Sequence, residues 1–295
     1  PARGAHDRGT RRPGGAARMT DVLDLLPDRP LPSVEGDKRN RGTVAIVGGA
    51  DTCPGAAVLA GVSPLRVGAG RVQLVVHPAV AAAVGAAFPE ALVIGWDHAE
   101  APVPDSVAQR LGSADAVLVG PGLRSNGVDV AHIVAELVPH DVPLLLDATS
   151  VDAALELAAE RGRRLVVAPN DAEARSLLDA GDAEVDDLAG DLSAALGGRA
   201  TAVRGVETTV VAGEGGRWTH AADAPALGTP GSGDVLAGVA VALLGRDADP
   251  LTALAWAVAL HARAGTRAAA AVGPIGFLAR EVADELPRAL ADLDG

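Results

Sequence analysis

Tyrosine is absent from the 295 residues, and aromatic side chains of every kind make up only 2%. A chain so poor in flat rings has little with which to stack bases, which argues against single-stranded nucleic acid as a partner. Its core must instead be closely packed Ala, Val and Leu. Positive charge is scarce too: 25 Lys and Arg against 38 Asp and Glu leave a net charge of -13. No basic footprint for a phosphate backbone remains. The deficit is uneven, because residues 1–41 hold nine basic and six acidic groups and the remainder 16 basic against 32 acidic. Such a body can bind phosphate only locally, through backbone N–H groups, isolated arginines or a divalent metal.

The single cysteine, Cys53, rules out an intrachain disulfide and a multi-cysteine metal site. Nothing near it in sequence would activate a thiol nucleophile, so it is expected as a small core-facing filler. The histidines show no metal-ligand spacing, which argues against a zinc hydrolase. His261, flanked by alanines, reads as a packed helix residue. No apolar run reaches the roughly 18 residues of a membrane span, and the N-terminal stretch lacks the basic-then-apolar order of a secretion signal. A cytoplasmic protein that meets no membrane is the expectation.

What is present is apolar residues at 48% and short apolar runs separated by glycine turns. Thr43–Val47, Val72–Val76, Ala91–Ile94, Ala116–Val119, Pro143–Leu146 and Arg164–Val167 read as buried strands, with helical stretches between them. That alternation predicts an α/β fold with a mostly parallel sheet covered on both faces. Three further short strands are expected at 200–203, 208–211 and 217–220, and long helices from about 232, 251 and 277. Residues 1–41 are expected as a flexible arm and lead-in, with a short capped helix after Thr20. No later linker divides the chain, so residues 42–295 are expected to form a single domain.

The most informative stretch is Leu227-Gly-Thr-Pro-Gly-Ser-Gly-Asp-Val-Leu-Ala-Gly238. A tight glycine turn that feeds directly into a helix aims successive N–H groups, and the positive end of the helix dipole, into one concavity. Asp234 at its edge either caps the helix or has a task beside a bound phosphate, such as accepting a proton from a hydroxyl. Other glycine loops follow strands, Gly48-Gly49 and Gly120-Pro121-Gly122, where an open parallel sheet places its ligands. Neither fits the dinucleotide or P-loop spacing. Asn170 and Glu173 stand three apart, which suits a capping box as well as it suits orienting the waters of a magnesium ion. Arg204-Gly205 follows a strand, within reach of a phosphate, and Asp147 ends another strand at the same edge.

These stretches, together with Gly42-Thr-Val-Ala-Ile-Val-Gly-Gly-Ala50, Pro54-Gly-Ala-Ala57, Leu65-Arg-Val-Gly-Ala-Gly70, Ala114-Asp-Ala-Val-Leu-Val-Gly-Pro-Gly-Leu123 and Leu144-Leu-Leu-Asp-Ala148, resemble the ADP/ATP-dependent NAD(P)H-hydrate dehydratases of the ribokinase-like superfamily. The resemblance runs in order from residue 38 to about 290. It implies a three-layer α/β/α sandwich and the nucleotide-driven dehydration of hydrated NADH or NADPH. Asp234 would be the base, and the backbone of Gly231, Ser232 and Gly233 the anion hole. Nucleotide and substrate would contact Gly49, Gly120, Pro121, Gly122, Asn170, Glu173, Arg204, Gly205, Thr229 and residues 231–233. The resemblance also implies ADP or ATP with Mg²⁺ held through water by Asn170 and Glu173, and a homo-oligomer such as a tetramer. Pro169-Asn-Asp-Ala-Glu173 departs from the Pro-His-Pro-Gly-Glu usual in the dehydratases, and Arg204-Gly205 stands where Lys-Gly is common. Cys53 replaces a tyrosine. The Asn-x-x-Glu spacing keeps open a small-molecule kinase that transfers a γ-phosphate to a hydroxyl. A degenerate nucleotide-binding homologue is the third reading.

Overall fold

The structure, a computed structural model, describes residues 20–33, 37–38, 40–98, 103–124, 128–160, 162–221 and 225–294. The arm expected over 1–18 lies outside these residues. The described chain begins with a two-residue strand β1 (Thr20–Asp21) and a one-turn helix α1 (Val22–Leu25). The cap of α1 is Asp21 rather than Thr20: its carboxylate accepts from the Leu23 N–H at 2.8 Å. Val22 and Leu26 are buried, so residues 20–26 pack into the body.

Alternating strands and helices follow: β2 (Thr43–Val47), α2 (Pro54–Arg66), β3 (Arg71–Val76), α3 (Ala81–Ala87), β4 (Leu92–Gly95), α4 (Asp105–Gly112), β5 (Ala116–Val119), α5 (Val130–Leu137) and β6 (Leu144–Leu146). After β6 a 3-10 turn, Ala148–Ala153, leads into a short α6 (Ala154–Ala158), where the sequence suggests one helix over 151–160. Asp147 caps that turn with Ser150, and Ala148 adopts the left-handed region at φ +53, so helical geometry cannot start earlier. Then come β7 (Leu165–Val167), α7 (Asp171–Leu178), α8 (Val185–Ala195), β8 (Thr201–Arg204), β9 (Thr208–Gly213) and β10 (Gly216–Ala221). Three helices complete the chain: α9 (Ser232–Gly245), α10 (Pro250–Val272) and α11 (Ala279–Leu293).

The strands form one sheet in the order β1-β10-β9-β8-β7-β6-β5-β2-β3-β4. Only β9 runs against its neighbours. Period-two alternation assigns the strand side chains to two cores. Val44, Ile46, Leu118, Leu145 and Val166 face the layer of α2, α9, α10 and α11, while Ala45, Val47, Val119, Leu146 and Val167 face that of α4 to α8. The mostly parallel α/β expectation holds, in three layers.

The scarcity of aromatics shows in how closely the helices approach. From Val235 to Gly245 every residue of α9 is buried. Gly238 lies so near α2 that a Cβ there would run into the Ala60 carbonyl oxygen and come within 2.8 Å of the Ser63 Cβ. Gly238→Ala is therefore expected to cost about 1–3 kcal/mol through overpacking. In α3, an added Cβ at Gly85 would meet nothing nearer than Val93 at 3.9 Å, so Gly85→Ala is expected to gain about 0.5–1 kcal/mol. Urea denaturation of the two variants checks this, and equal stabilities would contradict the packing.

Candidate active site

The strands β2 and β5 lie side by side, and the chain leaves them in opposite directions across the sheet. Their C-terminal ends form the crevice that an open parallel sheet offers to ligands. Two expected loops meet there. The Gly49 N–H donates to the Pro121 carbonyl at 2.8 Å, and the Ala50 N–H to the Gly122 carbonyl at 2.8 Å. Gly49, Gly120 and Gly122 all have positive φ. A Cβ on Gly122 would strike the Cys53 carbonyl oxygen, so the pairing depends on its having none. Cys53 itself is exposed, contrary to the core-facing expectation. It is the residue from which the chain enters α2, its carbonyl turned toward Gly122.

Across the crevice, α9 starts at the glycine turn. Gly231 is its N-cap with φ +87 and carries no side chain to cap the first turn. The Ser232 N–H donates to the Thr229 carbonyl at 3.2 Å and the Val235 N–H to the Gly231 carbonyl at 3.3 Å. Among the described residues, the N–H groups of Gly233 and Asp234 between them have no acceptor. Of the donors expected over 231–233, Ser232 is thus turned inward, and Asp234 adds its own amide to that of Gly233. With the helix dipole behind them, these amides can receive an anion.

The guanidinium of Arg204, at the end of β8, lies against Gly233, where a side chain would collide with it. Its Nη2 donates to Oδ1 of Asp147 at 3.2 Å. Asp147 is 2% exposed. Burial lifts its carboxyl to about 6, the Arg204 charge opposing and the Glu173 charge reinforcing the shift. Asp234 is raised to about 7, first by burial and then by the charge of Asp147, with Arg204 opposing and Glu173 adding to the rise. A carboxylate that titrates near neutrality beside free amides can take up a proton at neutral pH.

Asn170 and Glu173 take up the capping arrangement at the start of α7. The Asn170 N–H donates to Glu173 Oε2 and the Glu173 N–H to Asn170 Oδ1, each at 2.9 Å. One Glu173 oxygen is left over, and among the described residues no three His, Cys, Asp or Glu converge as a metal site. This donor set fits a magnesium ion that keeps its waters and takes its other ligands from phosphates.

A cleft of about 230 Å³ opens beside these groups, lined by Asn170, Arg204, Gly205 and Ser232 from the expected set. Its wall also holds Thr209, His220, Leu227, Val258 and His261, residues that sequence reasoning did not assign to the site. Asp234, Thr229, Gly49 and residues 120–122 are not part of that wall. His261 is packed, as its alanine neighbours suggest, yet its Nε2 lies 2.7 Å from the Ser232 hydroxyl. Burial, helped by the Arg204 charge, depresses it to about 3, so the imidazole stays neutral and fixes the glycine turn by hydrogen bonding alone. The signal missed in the sequence is its place one helix beyond the motif. His220 bonds the carboxylate of Asp21 at 3.2 Å, which ties β1 to the cleft wall.

The raised Asp234 has a thermodynamic consequence. Between about pH 4 and about pH 7 the folded chain keeps a proton that the unfolded chain has released, so stability falls as pH rises through that window. Asp234→Asn removes the penalty. The variant is expected to be more stable than the wild type at about pH 8 and indistinguishable from it near pH 4, which denaturant midpoints at the two pH values check.

The fold and these residues have known counterparts. The family model for NAD(P)H-hydrate dehydratases matches residues 44–288. The ADP-dependent (S)-NAD(P)H-hydrate dehydratase of Xanthomonas campestris is 36% identical over 280 residues, covering 92% of this chain and 96% of that protein. The chain spans about half the length of the bifunctional NAD(P)H-hydrate repair enzymes it also matches. In three dimensions it resembles the Bacillus subtilis ADP/ATP-dependent NAD(P)H-hydrate dehydratase co-crystallised with ATP and Mg²⁺ (TM-score 0.79, 24% identity, 94% of this chain and 100% of that one). A ribokinase-like superfamily protein of Enterococcus faecalis follows at TM-score 0.77 and 21% identity, covering 92% and 94%. The glycine turn, its neighbouring aspartate and this similarity along nearly the whole fold agree: the chain belongs to the NAD(P)H-hydrate dehydratase family, on a ribokinase-like fold.

Proposed function

We propose that this chain uses ADP or ATP to dehydrate (S)-NADHX or (S)-NADPHX, restoring NADH or NADPH. The observation that carries this reading is the pair of free amides at the start of α9 beside Asp234, with Arg204 laid across Gly233. The nucleotide's terminal phosphoryl group would sit on the amides of Gly233 and Asp234, with Gly231 and Ser232 shaping the turn. Asp234 takes the proton of the ring hydroxyl as that oxygen attacks phosphorus and the bond to the leaving nucleotide breaks. The amides and Arg204 meet the charge that develops on the transferred group. The ring-nitrogen lone pair then expels phosphate from C6, and loss of a proton from C5 restores the double bond. A magnesium ion, held through water by Glu173 and Asn170, would supply further charge neutralisation on the phosphates.

In this reading Asn170, Arg204, Gly205 and Thr229 serve the nucleotide, and Gly49, Gly120, Pro121 and Gly122 the hydrated ring. Residues 42–295 act as one catalytic domain. The protein works as a homo-oligomer in the cytoplasm, and among the described residues no helix is long and apolar enough to cross a membrane. The kinase alternative drew on the spacing of Asn170 and Glu173, for which the capping of α7 already accounts, and the relatives favour the dehydratase.

Wild-type protein is expected to restore absorbance near 340 nm from hydrated NADH when ADP or ATP is supplied. Asp234→Asn is expected to lower that rate by about 10²–10⁴-fold while nucleotide still binds. Absence of recovery with either nucleotide would overturn the reading, and an undiminished variant would remove Asp234 as base. With Asp234 raised to about 7 and active only when ionised, kcat/KM is expected to climb with pH through about 7 and level off above it. A pH–rate profile measures this directly.

A further inference from the structure

Arg204 has a partner that the reaction does not require. The buried carboxylate of Asp147 follows β6 and Arg204 ends β8, with β7 between them, so the 3.2 Å contact spans a strand. Asp147 is itself held firmly. Its N–H donates to the Val119 carbonyl at 3.1 Å and to the Ser150 hydroxyl at 3.2 Å, and that hydroxyl donates on to the Val119 carbonyl at 2.7 Å. Its carbonyl oxygen packs against Gly120, where a Cβ would collide with it, and Ala148 beyond it accepts the left-handed region. A carboxylate buried at this cost calls for a reason. The other atoms of the guanidinium suggest one. Nη1 and Cζ lie over Gly233, and among the described residues the buried Nε–H has no acceptor. A buried donor left unpaired points to an acceptor still to arrive.

Resting on the functional reading above, we propose that Asp147 is the positioning residue of this site: it holds the Arg204 guanidinium flat against Gly233, so that an incoming phosphoryl group meets a fixed cation with free donors. A fixed fork loses no reorganisation energy when the charge shifts, whereas a free arginine must be ordered at that moment. Lysine cannot do both jobs, since a single ammonium has no second arm to leave over Gly233 while the first is bound to Asp147. The groups that face Asp234 are Asp147 after β6, Arg204 at the end of β8 and Glu173 on α7. Replacing Asp147 by a neutral residue removes a like charge and leaves Arg204 unneutralised, both of which favour ionised Asp234.

The test is a double-mutant cycle read by calorimetric titration of ADP with Mg²⁺ into the full-length chain. Arg204→Ala is expected to weaken ADP about tenfold or more in the wild-type background, and less than about threefold in the Asp147→Asn background. The same factor in both backgrounds overturns the proposal. In turnover, Asp147→Asn is expected to lower kcat by about 10–100-fold and to move the acid limb of kcat/KM to lower pH. An unmoved limb with a merely lowered Tm would reduce Asp147 to a structural staple and overturn the proposal as well. Should Asp147→Asn not fold, Arg204→Lys with Asp147 intact carries the same test: a comparable loss of ADP affinity is expected, and full affinity would overturn the clamp. Wild-type protein that binds ADP but restores no NADH would count against the proposed reaction alone, because the binding cycle needs no turnover.

Discussion

One guanidinium balances three carboxylates. Glu173 adds its charge to the rise at both Asp147 and Asp234, Asp147 adds its own at Asp234, and Arg204 is the cation that opposes the protonation of the two aspartates. Two buried aspartates this close, beside a third carboxylate and a single cation, are each held back from ionising. Burial first, and the excess of negative charge second, lift Asp147 to about 6 and Asp234 to about 7. The burial and charge that cost the fold stability are also what lets Asp234 take up a proton near neutral pH. A second cation here would make a more stable protein and a weaker proton acceptor.

That balance depends on the backbone coming very close to itself. Arg204 reaches across Gly233 only because no side chain is there, and Gly231 turns the chain at φ +87 next to Leu59 and Ala279. Behind the turn, α9 is buried along its length against α2 and α10. The amides at its start are therefore held rigidly against the sheet. A core of small aliphatic residues is what allows such approach, and the lack of tyrosine and scarcity of other rings is the sequence-level trace of it.

Much of this was legible in the chain itself. The strands Thr43–Val47 and Ala116–Val119 fall at the residues where apolar runs meet glycine loops. The glycine turn announced a helix start, with Asp234 as one possible cap; α9 begins at Ser232, and its N-cap Gly231 has no side chain to cap it. Asn170 and Glu173 were legible only as a pair at helical spacing, which capping and metal binding share. The structure shows the capping hydrogen bonds. Cys53 illustrates a different limit: burial is decided by where the chain turns into α2, and a lone small residue carries no periodicity from which to read it.

Local pattern thus determined the α/β alternation and the glycine turn into α9, because those rest on backbone geometry that a few neighbouring residues dictate, and the motifs along the chain carried the resemblance to the family. Tertiary structure alone decided which charges meet. Asp147 and Arg204 are 57 residues apart, Ser232 and His261 are 29 apart, and Asp21 and His220 are 199 apart. No short-range rule links such positions. Their encounter is fixed by the order of strands in the sheet and by how closely the helices settle on it, and the acidity of Asp234 follows from that encounter.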